Sequence, residues 1–230
     1  MKNFLRKLYI WQNIYLKNKY FFNQESYSAF GEDVAIKKYF KNKINGFYVD
    51  VGCYHPIKAN NTLLLYQKGW TGINIDINKL SIDLFKFCRP KDLNLNLAIS
   101  RKKATMYYQK ELSLLNSIKK KQAKSAFQGK ILTKKIKSKS LNTVLNNSIF
   151  KNRRIDFLDI DVEGADFEVL TSLNFKRYNP QIISVEIMPP NLDLSKIDIE
   201  GSNIYKFLIK KKYQLIWSNK FSVIFKKLIH

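Results

Sequence analysis

Short apolar runs that close on an acid or an amide recur along this chain, with helical patterns between them. Residues 46–51, 72–75, 93–97, 155–160 and 181–185 each read as a buried strand. Asn60-Asn61 offer an N-cap for a helix through about Lys68, residues 80–89 read as a second helix, and a third runs from about Ala165 to Leu173. A helix from about Asn203 to Lys211 leads into a hairpin: residues 213–217, a turn near Ser218-Asn219, then residues 221–225. Strand–helix alternation implies a mostly parallel sheet with right-handed crossovers. The terminal hairpin adds an antiparallel strand at one side. No internal repeat is present.

At 230 residues the chain suits one sizeable α/β domain, and a hydrophobic fraction of 45% is ample for a packed core. Its 41 Lys+Arg against 18 Asp+Glu give a formal charge of +23, which invites a nucleic-acid or anionic-membrane reading. Nearly all of that charge is lysine; arginine occurs only at Arg6, Arg89, Arg101, Arg153, Arg154 and Arg177. Nucleic-acid readers favour arginine's planar fork. With Gly and Pro scarce and Ile, Asn, Phe and Tyr abundant, the charge reads mainly as compositional drift.

Two segments stand out from that background. Residues 1–23 form a basic amphipathic helical segment: Phe4, Leu8, Trp11 and Tyr15 keep helical spacing, while Lys2, Arg6, Lys7, Lys17 and Lys19 meet no acid. Its apolar positions spread too widely for a clean interfacial face, so packing on its own domain is expected, with peripheral contact to an inner membrane surface as the alternative. The second segment is a Lys-rich insert near residues 110–140, read as a solvated helix and loop or as a contact surface for an anionic partner. Cys53 and Cys88 match no metal-ligand spacing, so a reduced, cytoplasmic setting is expected. No run of about 18 apolar residues exists for a transmembrane helix.

Chemistry concentrates at the strand ends. Asp50-Val51-Gly52 places an acid and a tight turn at the carboxyl edge of the sheet, where open α/β sheets bind ligands. The full G-x-G-x-x-G fingerprint is absent, because Gly52 is followed by Cys53, Tyr54 and His55. Asp76, 24 residues after Gly52, is placed to accept hydrogen bonds from two ribose hydroxyls. Asn96 carries a donor and acceptor amide, and Ala98 is small enough to admit an adenine ring. Together these suggest an adenosine-containing ligand without a diphosphate. Six acids crowd residues 156–168, and Glu186 follows the fifth strand. Alternation puts Asp159, Asp161 and Glu163 on one side of an extended chain. Such crowding requires a cation or a proton, so a sulfonium ligand, a divalent metal or a general base would each account for it.

The ordered blocks Gly31-Glu32-Asp33, Tyr48-Val49-Asp50-Val51-Gly52 with His55-Pro56, Asn61-Thr62, and Gly69-Trp70-Thr71-Gly72-Ile73-Asn74-Ile75-Asp76 resemble the FkbM-type S-adenosylmethionine-dependent methyltransferases. Arg89-Pro90-Lys91-Asp92, Asn96-Leu97-Ala98-Ile99-Ser100 and Asp159-Ile160-Asp161-Val162-Glu163-Gly164 continue the pattern. The resemblance implies a class I methyltransferase: a Rossmann-like three-layer sandwich over residues 24–230, with a seven-stranded, mostly parallel sheet. It implies that Asp50, Gly52 and Cys53 line the methionine part of the cofactor, that Asp76 holds the ribose, and that Asn96 and Ala98 flank adenine. Asp161 and Glu163 would face the reacting methyl group.

The expected reaction is O-methylation of a hydroxyl on a sugar, glycan precursor or small metabolite. Base candidates are Asp161, Glu163, Glu186 and His55, in that order. A divalent metal on the first three is a less favoured route. Rival readings are a nucleic-acid methyltransferase and a non-catalytic cofactor-binding module of the same fold. Met188-Pro189-Pro190-Asn191 does not match the NPPY order of amino-methyltransferases.

Overall fold

The computed structural model describes residues 2–19, 22–189, 193, 197–219 and 222–228. The expected Phe221 strand start and the Pro190-Asn191 pair lie outside them. The chain opens with α1 (Lys2–Gln12), which runs on as a π-helical turn, Asn13–Lys17, and then α2 (Glu32–Tyr39). Next come β1 (Phe47–Val51), α3 (Leu63–Tyr66), β2 (Thr71–Asp76), α4 (Lys79–Cys88) and β3 (Leu93–Asn96). β4 (Ala98–Ile99) and β5 (Ala104–Tyr108) follow, and the Lys-rich insert near residues 110–140 carries α5 (Lys120–Ala126), β6 (Leu132–Ile136) and β7 (Ser138–Lys139). The chain closes with α6 (Leu141–Asn146), β8 (Phe157–Ile160), α7 (Asp166–Thr171), β9 (Ile182–Glu186), α8 (Asn203–Lys210), β10 (Tyr213–Asn219) and β11 (Ser222–Lys227).

Seven strands make one sheet in the order β10-β11-β9-β8-β1-β2-β3. Its β3-β2-β1-β8-β9 part is parallel, and β11 runs antiparallel to both β9 and β10. This is the expected seven-stranded, mostly parallel architecture with its antiparallel strand from the terminal hairpin. Central strands are buried on both sides, so β1, β8 and β9 carry no exposed position.

Alternation sorts their side chains into two layers. Val49, Val51, Leu158, Ile183 and Val185 pack under α6, α7 and α8 through Leu141, Leu145, Leu170 and Leu208. Tyr48, Phe157, Ile182 and Ile224 pack under α2 and α3 with Ile36, Phe40, Leu65 and Trp70. Ser140 and Ser202 cap α6 and α8, their hydroxyls accepting from the N–H groups of Thr143 and Tyr205. α3 is shorter than its apolar pattern suggests. Asn60, expected as its cap, instead accepts from the N–H of Thr62, and the helix starts after Thr62.

A polar row crosses the buried sheet in register: Asn74, Asp50, Asp159 and Ser184. Its counter-charge is Arg89 at the end of α4, which is fully buried. The guanidinium donates to Tyr48 Oη (3.1 Å), Thr62 Oγ1 (2.8 Å), Pro56 O (2.8 Å) and Asn60 Oδ1 (2.8 Å). Tyr48 in turn donates to Asp92, which also accepts from Gly72 N and Asn74 Nδ2. Removing one member of such a network strands its partners without water. Arg89→Met is therefore expected to cost about 3–5 kcal/mol in urea denaturation, whereas Lys86→Met, on the exposed side of the same helix, should stay within about 0.5 kcal/mol.

Candidate active site

β1 and β8 are neighbours whose crossovers leave in opposite directions, so their carboxyl ends open a crevice. Gly52 forms its floor. At φ +92° its N–H donates to Ile75 O (2.8 Å), and a Cβ there would stand 1.7 Å from the carbonyl oxygen of Asp161. Only glycine allows the two strand ends to meet this closely. Asp161 N–H donates to Val51 O (2.9 Å), which extends the pairing one step beyond β8.

The chain then leaves the extended path. Glu163 and Gly164 take positive φ (+54° and +87°), and the Asp166 carboxylate accepts from Val162 N (3.1 Å) and Gly164 N (3.0 Å). A capped turn, rather than strand alternation, thus sets Asp161 and Glu163 side by side. Asp159, still within the strand, accepts from Asn61 Nδ2 (3.0 Å).

The crevice holds a cavity that opens to solvent. Gly52, Tyr54, Asp76, Asn78 and Ala98 line it from the first three strand exits, and Asp161 and Glu163 from the β8 exit. Ile75, Ile77, Leu97 and Ile118 supply apolar walls. Asp76 accepts from Tyr54 N (2.9 Å) and Asn78 N (2.6 Å), one on each oxygen, so each oxygen keeps a lone pair. Burial pushes its acid up to about 6 despite those bonds. The roof comes from the loop after β5. There Asn116 Nδ2 donates to Asn78 Oδ1 (2.6 Å) and Ser117 Oγ donates to Glu163 O (2.7 Å), joining both sides of the crevice.

A second cavity, about 250 Å³, adjoins the first and shares Leu114, Asp161 and Glu163 with it. Phe30, Glu32, Asn61, Asp159, Ser184 and Glu186 complete most of its wall. Carboxylate oxygens of Asp161, Glu163 and Glu186 lie within 4.8 Å of one another. Burial, then the Asp166 charge, pushes Glu163 up to about 7. Burial and the neighbouring acids hold Glu186 and Asp161 well above the usual carboxylate range, although Asp161 opens onto the cleft. Glu186 Oε2 is buried without a hydrogen-bond partner among the described residues.

Residues 50–215 match the methyltransferase FkbM domain. The chain belongs to this family. It is accordingly an S-adenosylmethionine-dependent methyltransferase. Among curated proteins no significant sequence match was found. A solved structure similar to this FkbM-domain chain is a TehB-like SAM-dependent methyltransferase from Corynebacterium glutamicum, with 10% identity, a TM-score of 0.44, and coverage of 99% of this chain and 97% of that one.

Of the residues singled out in this FkbM-domain methyltransferase, Gly52, Asp76, Ala98, Asp161 and Glu163 line the first cavity, and Glu186 lines the second. Four others do not reach either one. Asp50 points into the Arg89 network and accepts from Thr62 Oγ1 (2.8 Å); burial, opposed by Arg89, pushes it up to about 6. The Cys53 thiol packs on Ile82 and Phe85. The Asn96 amide donates to the carbonyls of Asp76 and Ile77 (both 2.9 Å), fixing the β2 exit instead of flanking the cavity. His55 is a structural clamp, not a base within reach of the cavities. Its Nδ1 accepts from the N–H groups of Ile57 and Lys58 (both 3.1 Å), which leaves the proton on Nε2 to bond Asn13 Oδ1 (3.0 Å).

The roof residues Asn116 and Ile118 carried no local signal of this placement. They reach the site through a long loop that only folding brings back. Burial lowers His55 to about 4 from 6.5, so its stabilising bonds are fully present above pH 6.5 and are lost as pH falls toward 4. The stability difference between wild type and His55→Gln should therefore shrink over that window, by up to about 3 kcal/mol. Urea titrations at several pH values measure it, and a pH-independent difference would count against the clamp.

Proposed function

We propose that this chain O-methylates a small polyhydroxylated acceptor, a sugar or glycan precursor, where its two cavities meet. The observation that carries this reading is that Leu114, Asp161 and Glu163 belong to both cavities. When bound, S-adenosylmethionine supplies an electrophilic methyl group on a sulfonium sulfur. The first cavity suits that group. Leu97, Ala98 and Ile118 offer apolar walls to a purine, Asp76 keeps acceptors for ribose hydroxyls, and Asp161 and Glu163 present negative charge to a cationic chain.

In the second cavity Asn61, Ser184 and Glu186 present hydrogen-bonding groups suited to hydroxyls. Glu163, with its acid near 7, is matched to accept a hydroxyl proton around neutral pH. Holding the acceptor oxygen in line at the shared wall supplies much of the rate gain. Five acids, Glu32, Asp159, Asp161, Glu163 and Glu186, line that cavity. Nucleic-acid affinity rests on cationic contacts to phosphate, so this lining disfavours a nucleic-acid acceptor.

A second reading places a divalent cation on Asp161, Glu163 and Glu186, where it would lower the acceptor hydroxyl's pKa. Their mutual spacing and the unpartnered Glu186 oxygen favour it. On that reading chelation abolishes activity and added magnesium restores it; on the first, chelation leaves the rate unchanged.

Calorimetry with S-adenosylhomocysteine tests the cofactor site. Asp76→Ala should weaken binding about 10–100-fold, and unchanged affinity overturns the assignment. Below about pH 7 Glu163 carries a proton and cannot take another, so kcat/KM should rise through about pH 7. Glu163→Gln should lose that inflection and about 100-fold in rate. A labelled-methyl screen of glycan precursors and RNA identifies the acceptor, and label on RNA alone would overturn the hydroxylated-sugar reading.

A further inference from the structure

The N-terminal helix shows two apolar faces, and its domain covers only one. Ile10 and Ile14 are 7% and 2% exposed and pack with Tyr27, Leu64, Leu80 and Leu84. Arg6 pairs with Asp83 of α4, and Asn13 is held by His55. These contacts fix the helix's rotation. On the opposite side Phe4, Leu8, Trp11 and Tyr15 follow one another at spacings of three and four residues, with Leu8 51% and Trp11 46% exposed.

Beside them Leu5 and Leu16 are also exposed. Tyr15 touches Trp11 (5.7 Å between ring centres), Phe22 (6.3 Å) and Phe87 of α4 (6.2 Å), so the outer surface is continuous. The wide spread of apolar positions in residues 1–23 is thus the sum of two stripes, one inward and one outward.

We propose that the outward stripe seats the protein on an anionic lipid surface. The charge around it selects that occupant. Residues 1–24 contain no acid, and Lys7, Lys17 and Lys86 stand exposed around the stripe. Pairing with a second copy through this face would oppose like charges, whereas anionic headgroups neutralise them. Trp and Tyr suit the headgroup level, with apolar rings and one polar atom each. No helix among the described residues is long and apolar enough to cross a membrane, so the contact is peripheral. The loop that roofs the first cavity joins the same region. Leu112 packs against the Ile10–Ile14 side, and Leu114 and Leu115 are exposed at the second cavity.

Vesicle flotation of the full chain tests this. It should float with phosphatidylglycerol-containing vesicles at low salt, much less with pure phosphatidylcholine, and lose binding as salt rises. Leu8→Glu combined with Trp11→Glu should reduce flotation at least about tenfold, with an unchanged thermal melt because both side chains are exposed. Ile149→Glu, an exposed apolar residue elsewhere, should float like wild type. Three results overturn the proposal: no flotation on anionic vesicles, equal flotation of the double variant, or self-association through this face without vesicle binding, read by analytical ultracentrifugation.

Discussion

A single guanidinium organises the half of the molecule that forms the crevice at the β1 and β2 exits. Arg89 is fully buried, and a cation out of water survives only where partners replace its hydration. Those partners come from β1, from the loop after it, and from the segment leading into α3, with Phe85, Tyr66 and Tyr48 rings about the charge at 4.8, 5.0 and 5.9 Å. Satisfying Arg89 therefore fixes the course of residues 52–62. That course places Tyr54 N against Asp76 and keeps Gly52 against Asp161. The crevice inherits its shape from a polar network beneath it, to which Asp50 belongs.

The electrostatics divide by distance. The chain carries +23, yet its two cavities are lined by acids. At physiological salt the surface lysines are screened within about 8 Å. A cationic ligand inside the crevice responds to Asp76, Asp161 and Glu163 at contact range, where screening is weak. Burial pushes the acids of Asp76 and Glu163 up to about 6 and 7 and holds Asp161 above the usual carboxylate range, with neighbouring acids adding to the last two.

Much of this was legible before folding was considered. The strand ends that carry Gly52, Asp76, Ala98, Asp161 and Glu186 could be read because strand periodicity and turn chemistry are local. The same reading left the choice open where a side chain had two places to go. Asp50 and Asn96 sit at strand positions fit for a ligand, yet their partners are protein groups. His55 follows a strand like a catalytic residue, but its ring is committed to the N-terminal helix 42 positions away in sequence. The Lys-rich insert read as solvent-facing, and much of it is, with β6 almost wholly exposed. Its leading loop nevertheless roofs the crevice through Asn116 and Ser117.

By itself, the sequence determined the class of fold and the edge of the sheet where the cavities open, because hydrophobic period and glycine placement act over a few residues. Tertiary structure decided which polar groups face the cavities and which hold the frame. That choice depends on who meets whom across the chain: Arg89 with Thr62, His55 with Asn13, Asn116 with Asn78. It also decided that the N-terminal helix keeps a second apolar face outward, since only packing shows which of two stripes the domain covers.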